Sequence, residues 1–347
     1  CKSFTGEVIN NHWKPDYRYI ADDSLEIDQI FNDKLNNLFE KEKSENEEDF
    51  TKDFACSVQK VYEHFFNKII NYILSKNYSK NIIFSGGCAL NSSANLVLTE
   101  NKNHFENVFI NYAPGDNGGA IGAAFVVANK YYNKIKNIKT PYLGSEYSDI
   151  EIKKILEDES FKKKFSYKFY ESDDEFFNFV AKLITKGNVI GWFQGKMEFG
   201  PRALGNRSIL ADPSNPEMKK IIKSKIKKRE SFRPFAPVVL KKFQNEWFES
   251  DFNNLYMSSV TKVKKNKQSL VPAITHIDET SRIQSVDENS NKKLSSLIEE
   301  FNKLKKIPLL LNTSFNENEP IVRKPDEALN CILRNDLEYL VINNFVV

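Results

Sequence analysis

The sequence predicts an α/β fold, on three observations. A strand-like apolar run, a glycine turn and a helix-like segment follow one another at 81–98 and again at 108–127. Short apolar runs then alternate with segments of helical periodicity beyond 140. Pro and Gly punctuate 139–144, which divides the chain into two parts, 1–139 and 140–347.

Residues 27–46 are acidic, rich in Lys and Asn, and partly helical in pattern, and 45–49 reads as a solvated loop. Between 54 and 72, Val58, Val61, Tyr62, Phe65, Phe66, Ile69 and Ile70 recur at helical spacing. Strand 81–84 ends in Ser85-Gly86-Gly87, and a helix is expected over 90–98. Strand 108–110 leads through Pro114-Gly115-Asp116-Asn117-Gly118-Gly119 into a helix of small apolar residues, 120–127. In the second part, a helical pattern begins near 149, and helix 174–186 precedes strand 188–193. Ile209-Leu210 reads as a short strand. Met218, Ile221, Ile222 and Ile226 fall on one face of a helix over 216–229. Strands are expected at 236–240, 257–262, 307–311 and 338–342, and helices at 292–304 and 325–333.

The bulk composition narrows the function classes. The chain has 347 residues, 40% hydrophobic and 28% charged, which fits a soluble protein of two domains. A net charge of +3 gives no global argument for nucleic acid or an anionic membrane. No apolar run is long enough to cross a bilayer, and the first residues lack a signal's apolar core. Cys1, Cys56, Cys88 and Cys331 are scattered, against a zinc ribbon or a disulfide framework and for a cytoplasmic protein. His12, His64, His104 and His276 do not pair at metal-ligand spacing. The chain starts without Met, as a fragment or a processed piece would.

Five segments carry candidate chemistry. The most informative is 195–207, where three glycines and two arginines follow a strand. Glycines admit close backbone approach, and Arg forks bind phosphate or carboxylate. Gly195 and Gly200 have P-loop spacing, but Pro201 and Arg202 stand where that loop needs Lys and Ser/Thr. The second, 85–91, runs a strand into a Gly-Gly turn and a helix start, which is either a phosphate cradle or a plain turn. The third, 114–119, puts Asp116 before two glycines, where it either ligates a metal, contacts a ribose or caps the helix. The fourth is basic, 219–229: Lys219, Lys220 and Lys223 read as a solvated face, whereas Lys227, Arg229 and Arg233 sit where the helix ends against Pro234 and Pro237. Last come 275–284, mixing His276, Asp278, Arg282 and Gln284, and 308–316, an apolar strand ending in small polar residues.

In order along the chain, segments 85–91, 114–124, 191–213, 229–240, 272–286, 310–316 and 319–322 resemble the O-carbamoyltransferase family that includes nodulation and antibiotic-tailoring enzymes. The resemblance runs from about 54 to 347 and implies two modules. Residues 140–347 resemble the YrdC-like twisted-sheet α/β domain, with Lys227-x-Arg229 and Ser314-x-Asn316 matching its K-x-R and S-x-N signature. That domain binds carbamoyl phosphate and ATP, with Mg2+, and forms carbamoyl adenylate with loss of pyrophosphate. By motif position, Arg202, Lys227, Arg233, Arg282 and Ser314 are its binding and catalytic set, Arg229 and Asn316 are further members, and His276 and Asp278 shape the carbamoyl site. Residues 1–139 resemble half of an actin-like ATPase-fold domain, the lobe shared with the tRNA threonylcarbamoyl-transfer enzymes. There Gly86, Gly87 and Asn91 contact the nucleotide. Asp116 ligates an Fe2+ ion that helps pass the carbamoyl group to a hydroxyl of a small molecule.

One departure stands out. The family's paired metal-ligating histidines have no counterpart here, and a single Asp does not make a transition-metal site. The sequence therefore leaves two other readings beside carbamoyl transfer: threonylcarbamoyl-adenylate synthesis for tRNA modification, and a non-catalytic nucleotide-binding relative.

Overall fold

Mixed α/β structure accounts for the chain in a computed structural model that describes residues 6–9, 12–15, 33–34, 37, 39–40, 47–100, 105–132, 140–228 and 233–347. Contacts divide it into two units, Cys1–Tyr78 and Ser79–Val347. In the first, β1 (Gly6–Ile9) and β2 (His12–Pro15) pair antiparallel, and α1 spans Glu47–Lys76. The helix starts inside the stretch expected to be a solvated loop. Its first turn brings in Phe50, which stacks on Phe54 one turn later with ring centroids 6.1 Å apart. That i,i+4 aromatic pair extends the helix into acidic sequence.

The second unit opens with β3 (Asn81–Phe84) and β4 (Asn107–Ile110), parallel and in register. Each strand ends in one of the two glycine turns, so both turns lie at the carboxyl end of the pair. The Gly86 amide donates to the Pro114 carbonyl at 2.6 Å and ties them together. After β4 comes α2 (Asp116–Tyr132). The helix expected over 90–98 is instead a 3-10 turn, Gly87–Leu90, and a single helical turn, Leu96–Thr99. Two side chains interrupt it. Asn91 Oδ1 accepts the Ala94 amide at 3.1 Å, and the Asn95 amide donates to the carbonyls of Ala89 (2.8 Å) and Ser258 (2.7 Å). Such local bonds offer the backbone an alternative to the helix.

The rest of the unit is built on one eight-stranded mixed sheet. Its strands are β5 (Lys168–Phe169), β6 (Ile190–Phe193), β7 (Arg207–Ala211), β8 (Ala236–Leu240), β11 (Gln284–Val286), β12 (Leu309–Ser314), β13 (Tyr339–Ile342) and β14 (Phe345–Val346). The order is β11-β8-β12-β7-β6-β13-β14-β5. The β11–β8 and β13–β6 pairs are parallel, and the other pairs are antiparallel. A two-stranded ribbon, β9 (Thr261–Lys262) and β10 (Thr280–Ser281), stands beside it. Strand was expected over all of 257–262. Met257 takes a left-handed φ of 55°, and the Asn254 side chain holds the Ser258 amide and Ser259 carbonyl, so pairing starts only at Thr261.

Between the strands run α3 (Asp149–Leu156), α4 (Asp173–Thr185), α5 (Met218–Lys225), α6 (Glu288–Lys305) and α7 (Pro325–Arg334). Helix α6 packs on α4 and on β8, β11 and β12, while α7 packs on β6 and β13. Every residue of β6, β7 and β8 is buried, which is why β6 and β8 read as continuous rather than alternating apolar runs. Trp192 is fully buried and donates its indole N–H to the Gly205 carbonyl at 2.9 Å.

Candidate active site

The connection from β6 to β7 carries the arginine loop, and two buried charges shape it. The Arg207 guanidinium is fully buried and stacks 3.5 Å from the Phe193 ring centroid. It donates to the carbonyls of Gln194 (2.6 Å), Asn206 (2.9 Å), Ser145 and Gly195 (both 3.1 Å). Burial pushes it down to about 10, against the pull of Glu198. Glu198 Oε1 accepts the backbone amides of Leu204 (2.7 Å), Asn206 (2.9 Å) and Arg207 (3.3 Å). Burial pushes its carboxyl up, while those amides and Arg207 pull down. The Leu204 carbonyl is held from outside by Tyr142 Oη (2.9 Å) and Gln284 Nε2 (2.8 Å). Gly200 takes a φ of +140°, and a Cβ there would lie 2.5 Å from the Tyr112 carbonyl oxygen. Only glycine fits that approach.

Clamped on both limbs, the loop projects Arg202 into a cavity of about 350 Å³. As residue types both arginines of the loop suit an anion, and the family resemblance singles out Arg202; the structure separates them. Arg202 enters the cavity, and Arg207 is occupied by backbone carbonyls. Burial pushes the Arg202 guanidinium below its ordinary value. A partly desolvated cation of this kind is stabilised by an anion brought to it.

Arg233, Arg282 and Ser314 line the same cavity. Arg233 comes from the segment entering β8, Arg282 from the turn between β10 and β11, and Ser314 from the end of β12. Lys227, just past α5, is buried behind the wall. Its ammonium donates to Ser314 Oγ (3.1 Å), the Asn316 carbonyl (2.6 Å) and Asn316 Oδ1 (2.5 Å). Ser314 Oγ donates to Asn316 Oδ1 at 2.7 Å. The structure thus brings Arg202, Arg233, Arg282 and Ser314 to one hollow, with Lys227 and Asn316 fixing Ser314 from behind. Arg229 lies outside the described residues. Lys219, expected on a solvated face, is half-buried and donates to the Thr275 carbonyl at 2.9 Å.

Gly86, Gly87, Asn91 and Asp116 do not line this cavity. Gly86 has a φ of +98°, and the space in front of both glycines is open. A smaller adjoining hollow shares Arg202 with the arginine cavity and reaches Leu90 and Pro114, beside the two glycine turns. Asp116 is exposed at the start of α2. Among the described residues no three His, Cys, Asp or Glu side chains gather at metal-ligand spacing, so they do not make an iron site around it. Among them no helix is long and apolar enough to cross a membrane.

Sequence reasoning missed several residues here. Ser92 and Ser93, next to Asn91, reach the arginine cavity. Thr280 lines it as well, one turn from His276. Glu198 carried no signal beyond its place between two glycines, because its function depends on three amides that meet only in the folded loop.

Comparison with known proteins gives two family matches. The model described as carbamoyltransferase N-terminus matches residues 5–125, and that described as carbamoyltransferase C-terminus matches 181–347. An uncharacterized protein of Synechocystis is 39% identical, over 85% of this chain and 52% of its own length. An uncharacterized protein of Methanocaldococcus jannaschii is 34% identical, over 85% of this chain and 48% of its own. The nodulation protein NolNO of Sinorhizobium fredii is 36% identical, over 85% of this chain and 44% of its own. The chain therefore spans about half the length of the curated relatives it matches. A crystal structure of full-length HypF in the phosphate- and nucleotide-bound form aligns at 19% identity over 52% of this chain and 22% of its own, with a TM-score of 0.38, too low to carry an argument.

Proposed function

The chain belongs to the carbamoyltransferase family, and on that premise we propose that it performs the activation half of ATP-dependent O-carbamoyl transfer. The observation that carries this reading is one cavity lined by Arg202, Arg233, Arg282 and Ser314. Three guanidiniums around one hollow suit two polyanions held together, here carbamoyl phosphate and ATP with its Mg2+.

Water splits carbamoyl phosphate to carbamate and phosphate. A carbamate oxygen then bonds to the α-phosphorus of ATP, and the bond from that phosphorus to the pyrophosphate oxygen breaks. Carbamoyl adenylate and pyrophosphate result. Charge shifts onto the departing phosphate oxygens, so fixed cationic donors stabilise the transition state more than the ground state. In this reading Arg202, Arg233 and Arg282 supply those donors. Ser314 is oriented by Lys227 and Asn316 and donates or accepts at the reacting phosphate. Arg229 is the remaining member of the signature.

The carbamoyl group then passes to a hydroxyl of a small molecule, releasing AMP. Gly86, Gly87 and Asn91 line the proposed nucleotide site for that step, at the carboxyl ends of two parallel strands, where α/β folds bind ligands. The proposal assigns 1–139 to an actin-like transfer lobe and 140–347 to a YrdC-like adenylating domain. The test is carbamoyl-phosphate-dependent exchange of labelled pyrophosphate into ATP. Folded protein without exchange would refute the reading, and exchange dependent on threonine and bicarbonate would redirect it to threonylcarbamoyl-adenylate synthesis.

A further inference from the structure

Arg202 reaches the arginine cavity, yet nothing at its tip holds it. Among the described residues its guanidinium makes no hydrogen bond or ion pair. Its aim is therefore set by the backbone that follows it, Ala203 and Leu204. Both of these residues are buried, and side chains from two strands of the sheet reach their carbonyls.

Gln284, in β11, donates Nε2 to the Leu204 carbonyl at 2.8 Å. Asn312, in β12, donates Nδ2 to Gln284 Oε1 at 2.9 Å and to the Ala203 carbonyl at 3.3 Å. Gln284 and Asn312 are 2% and 1% exposed, so little water competes for these bonds. Each amide has one orientation. Turning either over would set its oxygen against a carbonyl oxygen. Strand β8 lies between β11 and β12, and the two amides link across it. Gln284 pairs with Val238 and Asn312 with Ala236, and paired residues share a face of the sheet. Ala236 brings only a methyl to that face.

The linked amides tie together three segments of the cavity. Gln284 stands two residues after Arg282. Asn312 stands two before Ser314, on the same face of β12. The third segment is the arginine loop itself. We propose that Gln284 and Asn312 are positioning residues: they hold the Ala203–Leu204 backbone and so aim Arg202 at an anion shared with Arg282 and Ser314. The inference rests on the carbamoyl-adenylating reading for the reaction, and on the arginine cavity alone for anion binding. Neither amide touches the anion in this arrangement, and both act through Arg202.

A double-mutant cycle with Arg202→Ala tests this. Gln284→Met and Asn312→Leu remove the amides with little change of volume and none of charge. Each is expected to slow pyrophosphate exchange by about tenfold or more, since small misplacements of a reacting group are costly. In the Arg202→Ala background the same substitutions should cost about twofold at most, because their effect passes through Arg202. Calorimetric binding of pyrophosphate reads the same cycle without turnover: affinity should fall on removing an amide only where Arg202 is present. If Gln284→Met does not fold, Gln284→Asn keeps the amide but is one methylene shorter, and it should show the same dependence on Arg202. Equal fold-losses with and without Arg202 would overturn the proposal, because a merely structural role acts in both backgrounds. Wild-type protein that does not bind pyrophosphate overturns it too. Protein that binds pyrophosphate without exchanging it refutes the adenylation reading, and the binding cycle still decides for or against the two amides.

Discussion

Arg202 and Arg207 have the same side chain five positions apart and opposite fates. Nothing in the local sequence separates them. What separates them is the ring of Phe193 and the carbonyls that converge on Arg207, all brought there by the sheet. Their variants should therefore fail differently. Arg202→Ala is expected to lose about 100-fold or more of pyrophosphate exchange while circular dichroism stays unchanged, by the usual worth of a transition-state donor. Glu198→Ala should instead lower the urea midpoint, because buried amides left without an acceptor cost about 1–3 kcal/mol each. Glu198→Gln, which keeps an oxygen, should recover much of that loss. A pH effect follows from His276. Its folded pKa lies below the usual imidazole value of 6.5, so the unfolded chain takes up the proton first as pH falls. Stability should decline on acidification through 6.5, and His276→Gln should flatten that part of the profile in urea titrations at stepped pH.

At the scale of elements, long periodic segments were legible and their ends were not. The pattern at 292–304 predicts a helix, and α6 begins earlier, at Glu288, capped by Asp287. The chain leaves helical geometry at Asn291 (φ −160°, ψ 93°), whose side chain accepts the Leu294 amide at 3.1 Å and donates to Tyr142 Oη and Asn206 Oδ1. The periodicity thus marked where regular helix starts and missed the turn before it, which side chains from elsewhere in the unit define. The 90–98 segment failed for a related reason: the Ser258 carbonyl that holds Asn95 is distant in sequence. Two substitutions probe this scale. Leu310 is fully buried in β12, and Leu310→Ala should cost about 2–5 kcal/mol in chemical denaturation. Gly200→Ala meets both an unfavourable φ and the Tyr112 carbonyl. It should depress exchange far more than its effect on the denaturation midpoint explains, by displacing Arg202.

Across the whole molecule, residues of five separated segments reach one cavity: Ser92, Arg202, Arg233, Arg282 and Ser314. The order of Arg202, Arg233, Arg282 and Ser314 along the chain was legible as a family pattern, whereas their meeting, and the place of Ser92 beside them, is a property of the sheet order, which no local pattern encodes. The same scale shows apolar surface. Helix α2 buries none of its residues, and Val126 and Val127 are 70% and 53% exposed. Exposed apolar helices drive association, so the chain should self-associate in sedimentation at rising concentration. Val126→Lys should reduce this without changing exchange. The indole of Trp192 has a further use. It is buried, and its N–H is tethered to Gly205 at the exit of the arginine loop. The loop therefore carries a built-in fluorophore. With Trp13 and Trp247 both replaced by Phe, emission near that tether should shift when an anion draws Arg202 inward, so occupancy of the cavity can be followed optically in real time, without a radiolabel or a coupled enzyme.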